Sequence, residues 1–245
     1  MSRLRIVSIG IAGLAAAALA VGCDTPQEGA FNNVLFTPTN CGYPVAGCDF
    51  EDSIGVGGKI DIHIEGIDGF STAGIDLESA NPDLLQVVAV GDTDGMPTWE
   101  LTALGAGVVE LQAMLDGVEQ DFIEIPMQDV DSLTTANILG EAVGPTLADA
   151  TDQAWTINAD EAVSFQVTPM IGAGEGVPTM GRLGYAATID VGLEDGAIEN
   201  QEPGDGYLYF SVPAGDYTAV FTSLENPDLT LSVAFHAAAA SGHAR

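Results

Sequence analysis

Hydrophobic and polar residues alternate along much of this chain with the two-residue period of β-strands. In the segment 59–65, Ile60, Ile62 and Ile64 would face a core, and the charged or polar residues between them would face solvent. Similar apolar runs occupy 84–90, 99–104, 108–114, 121–126, 162–168, 185–191, 207–212, 217–222 and 229–235. Turn-forming pairs separate several of them: Asn81-Pro82, Asp94-Gly95 and Asp116-Gly117. Short strands at regular spacing predict an all-β protein of the sandwich type.

The strand-like runs fall into two groups, which predict two β-sandwich domains at 31–127 and 151–236. Residues 128–150 have a less regular pattern rich in Asp, Gly and Pro, and we expect a linker there, with room for one short helix. The polar residues 23–30 are predicted to be a tether. The Ala-rich residues 237–245 are predicted to be a loose tail.

The two groups of strands share a local pattern. Residues 101–113 and 210–222 each consist of a strand-like run, a turn of small residues and a second strand-like run. Glycine in such a turn relieves the backbone constraint of a tight connection. The likeness supports two β-domains, although it is too short to establish a duplication.

The first 22 residues have the organisation of an export signal. Arg3 and Arg5 precede an apolar stretch over residues 6–20, which is followed by small residues. The alternative is a transmembrane anchor, but about 15 apolar residues are short for a bilayer that needs about 20. The pattern therefore predicts export of the chain.

The end of this segment indicates how the chain would be held. Residues 19–23, Leu-Ala-Val-Gly-Cys, resemble the lipobox of bacterial lipoproteins. The resemblance implies that the Cys23 thiol carries a diacylglyceryl group and that Cys23 begins the mature protein. A lipid anchor of this kind implies a place in the bacterial cell envelope, with the outer membrane or cell surface favoured. The alternative is ordinary signal cleavage beside an incidental cysteine.

The two remaining cysteines form an even pair, Cys41 and Cys48, with Gly and Pro between them that allow the chain to turn back. Since an exported protein meets an oxidising compartment, we expect a disulfide. A loop this short would contribute about 2–3 kcal/mol by limiting the unfolded chain. A metal pair is the alternative, but the sequence lacks the second Cys/His pair that it would need.

Two segments resemble known β-sandwich families. Residues 78–87 followed by 101–107, with their Ser-Ala-Asn-Pro and Thr-Ala-Leu-Gly-Ala-Gly motifs, resemble group-2 bacterial Ig-like domains over about 50–127. Residues 206–218, Gly-Tyr-Leu-Tyr-Phe-Ser-Val-Pro-Ala-Gly-Asp-Tyr-Thr, resemble the hairpin of carboxypeptidase-regulatory, transthyretin-like domains. Both resemblances imply β-sandwiches that commonly serve as non-catalytic modules of exported proteins.

The charge is extreme. The chain has 36 Asp+Glu and 5 Lys+Arg, and residues 1–22 contain two of the cations and none of the acids. The mature chain would keep Lys59, Arg182 and Arg245 against 36 acids, a net charge of −33. Because phosphate contacts need Lys and Arg, this composition excludes an ordinary nucleic-acid-binding protein.

The sequence carries no familiar catalytic motif, since both Gly-x-Ser-x-Gly and His-Glu-x-x-His are absent. His63 has Asp61 and Glu65 on the same side of a predicted strand, a set that could offer a metal three ligands. An exposed polar face is the plainer interpretation of the same alternation.

Calcium is the more plausible ion. Residues 194–205 place five acids and no cation in a turn-rich segment: Glu194, Asp195, Glu199, Glu202 and Asp205. Ca²⁺ accepts several oxygen ligands in flexible geometry, although this spacing is not that of an EF-hand. A solvated acidic loop is the alternative, and no other cofactor is indicated.

These observations favour a lipid-anchored, non-catalytic envelope protein with a structural, adhesive or binding role. Its partner would be the membrane, through the lipid, and a protein or glycan. Trp99 and Trp155 could be contact aromatics, but aromatic residues in strands more often pack in a core. The alternative is a metal-assisted hydrolytic enzyme or an accessory subunit of an exported enzyme, which a concave pocket with convergent His and acidic residues would favour.

Overall fold

A computed structural model describes residues 25–41, 48–93, 96–139, 155–159, 163–172, 176–190, 198–200 and 207–239. These residues form strands and connections, and among them no helix is long and apolar enough to cross a membrane. The first nine strands are Gln27–Glu28 (β1), Val34–Thr39 (β2), Ile54–Gly55 (β3), Lys59–Gly66 (β4), Ile75–Ser79 (β5), Leu85–Thr93 (β6), Met96–Ala103 (β7), Gly107–Leu115 (β8) and Val118–Gln128 (β9). The others are Ser132–Leu139 (β10), Trp155–Asn158 (β11), Val163–Ile171 (β12), Val177–Pro178 (β13), Tyr185–Asp190 (β14), Ile198–Asn200 (β15), Tyr207–Phe210 (β16), Gly215–Ser223 (β17) and Thr230–Ala238 (β18).

Strands β1 to β9 form the first sandwich. One sheet has the order β1-β2-β4-β7-β6 and the other β3-β9-β8-β5. β3 runs parallel to β9, and the other pairs are antiparallel. Taken as strands A, B, E and D, β2, β4, β7 and β6 form one Ig sheet, and β3, β9, β8 and β5 form the A′, G, F and C sheet that packs on it. The strand order is therefore that of an Ig-like fold.

Strands β10 to β18 form a second sandwich with the same order. Its sheets are β10-β12-β16-β15 and β11-β18-β17-β14, and β11 runs parallel to β18 as β3 does to β9. The residues that share a pattern in the sequence, 101–113 and 210–222, cover strands E and F of the two sandwiches. A Tyr217 hydroxyl that donates to the Pro213 carbonyl at 2.9 Å, near the start of strand F, resembles the tyrosine corner of Ig domains.

Each sandwich has its own core. In the first, Ile60 and Ile62 are fully buried and Ile64 nearly so, as the alternation in β4 predicts. In the second, Phe221 and Phe235 are among the largest buried side chains. Burying a side chain of this size contributes about 1.5–3 kcal/mol. The prediction of an all-β sandwich protein is confirmed.

Three segments that the sequence predicts to lack regular structure contain strands. β1 lies in the predicted tether, β10 in the predicted linker, and β18 runs two residues into the predicted tail. β1 has only two residues, too few for a periodic pattern to be visible. In β10 the buried positions include Thr135 beside Leu133, and the threonine hides the alternation. No described residue of the predicted linker is helical.

The chain between β1 and β2 is held by one buried carboxylate, Asp121 on β9. Its oxygens accept hydrogen bonds from the backbone N–H groups of Phe31, Asn33 and Val34 at 2.8–2.9 Å. Gly29 is required beside it, because a Cβ there would overlap the Asp121 carboxylate. The charge of Asp121 is thus balanced by backbone dipoles, which fix the N-terminal segment to the first sandwich.

Candidate functional site: the junction between the two sandwiches

The connection between β13 and β14 of the second sandwich pairs with the first sandwich along its backbone. Met180 exchanges hydrogen bonds with Ser53 and Gly55, at 3.0 and 2.9 Å. Arg182 exchanges two with Lys59, at 2.8 and 3.1 Å. The segment 180–182 is therefore joined to both sheets of the first sandwich by isolated β-bridges, a parallel one to β3 and an antiparallel one to β4.

The junction is closely packed, through both a buried side chain and a close backbone contact. Met180 is fully buried and belongs to the core of the first sandwich. Beside it Gly181 and Gly58 meet face to face: a Cβ on Gly181 would lie 2.9 Å from the Cα of Gly58. Gly181 also has a φ of 110°, a value that favours glycine. Both sterics and backbone conformation select glycine at position 181.

An ionic cluster covers the junction. The guanidinium of Arg182 donates to both oxygens of Asp61 at 3.0 and 3.1 Å, and reaches Glu100 at 3.4 Å. Lys59 Nζ donates to the other Glu100 oxygen at 2.8 Å. Asp61 and Glu100 lie directly opposite one another on β4 and β7. Two like charges in that position repel, so Arg182 removes a repulsion within the first sandwich while it joins the second to it.

The position of these cations is significant because cations are so scarce. Of the three that follow residue 22, Lys59 and Arg182 both lie here. The Arg182 side chain is only 10% exposed, whereas that of Lys59 is 44% exposed. A shielded, bidentate ion pair stabilises a fold more than an exposed pair does, so Arg182 contributes more to the stability of the junction than Lys59 does.

Glu225, in the β17–β18 connection, forms a second contact. A Cβ on Gly57 of the first sandwich would lie 2.9 Å from the Glu225 Cβ. The Glu225 carboxylate accepts from the Gly184 backbone at 3.3 Å and from the Ser223 hydroxyl at 3.2 Å. Burial, and then the charge of Glu225, raise the pKa of the Tyr185 phenol far above its ordinary value. Tyr185 therefore stays neutral beside the junction.

The disulfide lies at the same place. Cys41 and Cys48 are bonded, with their Cα atoms 5.9 Å apart, as the sequence predicts. The Cys41 carbonyl accepts a hydrogen bond from Gly181 N at 2.8 Å. The Cys48 carbonyl accepts one from Thr25 N, also at 2.8 Å. The disulfide thus links the beginning of the described chain to the junction.

The predicted metal set on β4 is used otherwise. Asp61 is paired with Arg182 and with the Asn40 side chain. His63 and Glu65 lie on the same outward side of the strand. Among the described residues, no group of three or more His, Cys, Asp or Glu side chains is arranged to hold a metal ion.

Other predicted site residues fall partly outside the described chain. Cys23 lies outside the described residues, and so do four of the calcium candidates: Glu194, Asp195, Glu202 and Asp205. The fifth calcium candidate, Glu199, is in β15.

The two tryptophans are core residues. Trp99 and Trp155 are each 4% exposed and belong to the first and second core, and Trp99 Nε1 donates to Asp76 at 2.9 Å. Their role is in packing.

Strand β6 offers an exposed apolar edge. It pairs with β7 on one side and with no described strand on the other. Val88 and Val90 are 43% and 53% exposed, and residues 85–91 carry no charge. The register shifts between Ala89 and Gly91, so Val90 lies in a bulge. A long uncharged edge is unusual on so acidic a surface, and its outer backbone groups pair with no strand of the described residues, so they could pair with another strand.

Sequence reasoning did not find the junction. Lys59 and Arg182 were visible only as scarce cations, 123 positions apart by their numbers. The one available signal was that Gly57-Gly58-Lys59 and Gly181-Arg182 repeat a glycine followed by a cation. Such a pair of short motifs has too little information to predict a contact.

Comparisons with known proteins give only distant likenesses. No protein-family model and no curated protein matches the chain. Among solved structures, it is similar to FdeC, an Escherichia coli adhesin, with 15% identity and a TM-score of 0.31 over 77% of this chain and 61% of that one. It is similar to invasin, a bacterial integrin-binding protein, with 13% identity and a TM-score of 0.30 over 87% and 40%. It is also similar to domains 5–6 of the S-layer protein SbsC, with 10% identity and a TM-score of 0.30 over 88% and 99%. The Ig-like assignment rests on strand order and not on these likenesses.

Proposed function

We propose that the chain is an exported, lipid-anchored protein of the bacterial cell envelope with a structural, adhesive or binding role and no catalytic one. Its two Ig-like sandwiches would act as one scaffold that presents a surface to a partner. The scaffold part of this proposal rests on the junction between the sandwiches. The anchor part rests on the lipobox-like sequence of residues 19–23.

The junction supports a rigid scaffold because separation of the sandwiches would be costly. Domains in one chain usually move unless a substantial apolar interface joins them. Here, separation would withdraw the fully buried Met180 from the first core, at about 1.5–3 kcal/mol for a side chain of that size. It would also break the backbone bonds of segment 180–182 and leave Asp61 opposite Glu100 without Arg182. Small-angle scattering should therefore give one elongated particle, and a broad range of shapes would contradict the proposal.

The partner contact that we propose is the β6 edge. An extended segment of a protein partner would pair with its outer backbone groups and cover Val88 and Val90. A photo-cross-linking residue in place of Val90 should give a discrete adduct in intact cells. Val118, which is 60% exposed in the β8–β9 hairpin, is the matched control position. Equal adducts from both positions, or none from position 90, would count against the edge as the binding surface.

The anchor is tested separately at Cys23. Metabolic labelling with a fatty-acid analogue should label the wild-type protein, and Cys23→Ser should remain unlabelled and be released from membranes. Equal labelling of the two proteins would refute the lipid anchor while leaving the scaffold proposal intact.

A further inference from the structure

The described chain begins beside the junction and not at either end of the molecule. Thr25 N donates to the Cys48 carbonyl at 2.8 Å, and β1 pairs with β2 immediately afterwards. Cys48 is bonded to Cys41, and the Cys41 carbonyl accepts from Gly181 N. Three short links therefore join Thr25 to the segment of the second sandwich that enters the first. Thr25 itself is exposed.

Each sandwich extends away from the junction along its own strands. In the first, β4 starts at Lys59, which pairs with Arg182, and ends at Gly66. Its eight residues span about 26 Å at 3.3 Å per residue. In the second, β17 ends at Ser223, near the Glu225 contact, and its nine residues reach back about 30 Å to Gly215. The junction is thus the waist of the molecule.

Only Cys23 and Asp24 lie between a lipid on Cys23 and the fixed Thr25. Two residues span at most about 7 Å. That reach is much shorter than either sandwich, so an anchor at Cys23 could not let the molecule stand on one end without driving the other sandwich into the bilayer.

We propose that the protein is tethered to the membrane by its waist and lies along the bilayer, with both sandwiches near the lipid surface. This inference rests on the proposed lipid anchor at Cys23. The surface that faces the lipid would be the one on which Thr25 is exposed, with the buried disulfide beneath it, and the far ends of both sandwiches would lie at similar heights above the headgroups.

The chain offers its own reporters for this geometry. It has two tryptophans, Trp99 in the first sandwich and Trp155 in the second, and both are shielded from water. With Cys41 and Cys48 in a disulfide, Cys23 supplies the remaining thiol of the three cysteines. The mature chain, residues 23–245, can therefore be attached through Cys23 to phosphatidylcholine vesicles that contain a maleimide lipid and a dansyl-headgroup lipid. A zwitterionic bilayer avoids repulsion between anionic headgroups and this acidic protein.

Energy transfer to the dansyl lipid is then measured from Trp155 alone in Trp99→Phe and from Trp99 alone in Trp155→Phe. The waist tether predicts substantial transfer from both tryptophans. Insertion of 20 Gly/Ser residues between Asp24 and Thr25, which adds an average reach of about 25 Å, should lower both signals. Transfer from one tryptophan only, or signals that the insertion leaves unchanged, would overturn the proposal.

A second measurement needs no substitution. Neutron reflectivity of the wild-type mature chain on a maleimide-bearing supported bilayer should give a protein layer about 25 Å thick, the width of one five-stranded sheet, and not about 55 Å, the two sandwich lengths end to end. A layer of two sandwich lengths would mean that residues 25–28 detach from β2 and that the proposal is wrong. Because attachment here is chemical, these results judge the geometry, whereas the labelling of Cys23 in cells judges the lipid anchor itself.

Discussion

Arg182, in the second sandwich, donates two hydrogen bonds to the carboxylate of Asp61 in the first, at 3.0 and 3.1 Å. The contact places a largely buried cation between Asp61 and Glu100, which oppose one another across two strands. In a chain with 36 acids and 5 Lys+Arg, the use of two cations, Arg182 and Lys59, to pair with two acids at a domain junction links the charge of the protein to its shape.

The first prediction concerns Arg182. Arg182→Met keeps the apolar length of the side chain but leaves Asp61 and Glu100 facing each other. We expect a loss of about 2–3 kcal/mol in the free energy of unfolding, below the 3–5 kcal/mol for a fully buried pair because both acids retain some exposure. Lys59→Met is the matched control and should cost at most about 1 kcal/mol, since Lys59 is more exposed.

Urea unfolding measures these differences. Adding Asp61→Asn to the Arg182→Met variant should recover part of the loss, because it removes one of the two repelling charges. Equal effects of the Arg182 and Lys59 substitutions would show that the cluster does not depend on Arg182.

The second prediction separates contact from backbone strain at Gly181. Gly181 and Gly172 both have positive φ values, 110° and 85°, so alanine is strained at either position by about 1 kcal/mol. Only at position 181 does the new Cβ also meet backbone, at 2.9 Å from Gly58, whereas position 172 has nothing within 4 Å. Gly181→Ala should therefore lower the melting temperature clearly more than Gly172→Ala. Calorimetry that finds equal shifts would argue against close packing at the junction.

The third prediction compares two tyrosine hydroxyls. The Tyr185 hydroxyl is buried and has no hydrogen-bond partner among the described residues, whereas Tyr217 donates to Pro213 at 2.9 Å. Tyr185→Phe should be neutral or stabilising, because it removes an unsatisfied polar group. Tyr217→Phe should cost about 0.5–1.5 kcal/mol, the usual net value of a hydrogen bond. Chemical unfolding of the two variants gives both values, and a larger loss from Tyr185→Phe would mean that its hydroxyl has a partner.

The raised pKa of Tyr185 also has a consequence at alkaline pH. In the unfolded chain this phenol ionises near its ordinary pKa of about 10, whereas in the folded protein burial keeps it protonated. Stability from this group is therefore complete below pH 10 and decreases as the pH rises above it. Tyr185→Phe should lose less stability than the wild type between pH 9 and about 11, which unfolding curves at each pH would measure.

The fourth prediction concerns Asp121. Asp121→Asn replaces one acceptor oxygen with an N–H₂ donor that would face backbone N–H groups. Because unsatisfied buried donors are costly, we expect a loss of about 2–4 kcal/mol and faster amide exchange at Phe31, Asn33 and Val34. Asp216, an exposed acid whose partner is His236, is the control, and Asp216→Asn should have little effect. Unchanged exchange at residues 31–34 in Asp121→Asn would contradict this role.

The sequence predicted the strands far better than the contacts between the sandwiches. The alternation at Ile60, Ile62 and Ile64 reveals β4 because one face is buried along its length. The shared pattern of 101–113 and 210–222 located equivalent strands in the two sandwiches. The contacts of Arg182 gave no comparable signal. Its partners belong to the other sandwich, and an alternation of polar and apolar residues within one segment says nothing about such distant partners. β10 was missed because a polar threonine, Thr135, occupies a buried position that only the tertiary structure defines.

The last prediction concerns salt. The mature chain would carry 36 acids against three cations, so its exposed carboxylates repel one another at low ionic strength. The screening length falls from about 30 Å at 0.01 M salt to about 3 Å at 1 M. The melting temperature should therefore rise smoothly between these concentrations, equally in NaCl and KCl, because screening depends on ionic strength and not on the ion. The Arg182–Asp61 pair opposes this trend only weakly, since shielded pairs are screened less.

Calcium supplies the control for this experiment, because the acids of residues 194–205 are the calcium candidates of the sequence. A bound ion stabilises by RT ln(1 + [L]/Kd), so low-millimolar CaCl₂ would act where NaCl of equal ionic strength does not. Asp195→Asn combined with Asp205→Asn should abolish that calcium-specific part and leave the salt effect in place. If calcium acts only as its ionic strength predicts, the acidic segment is a solvated loop and not a site. If neither salt moves the melting temperature, the carboxylates are spaced too widely for repulsion to limit stability, and the charge argument fails with the calcium one.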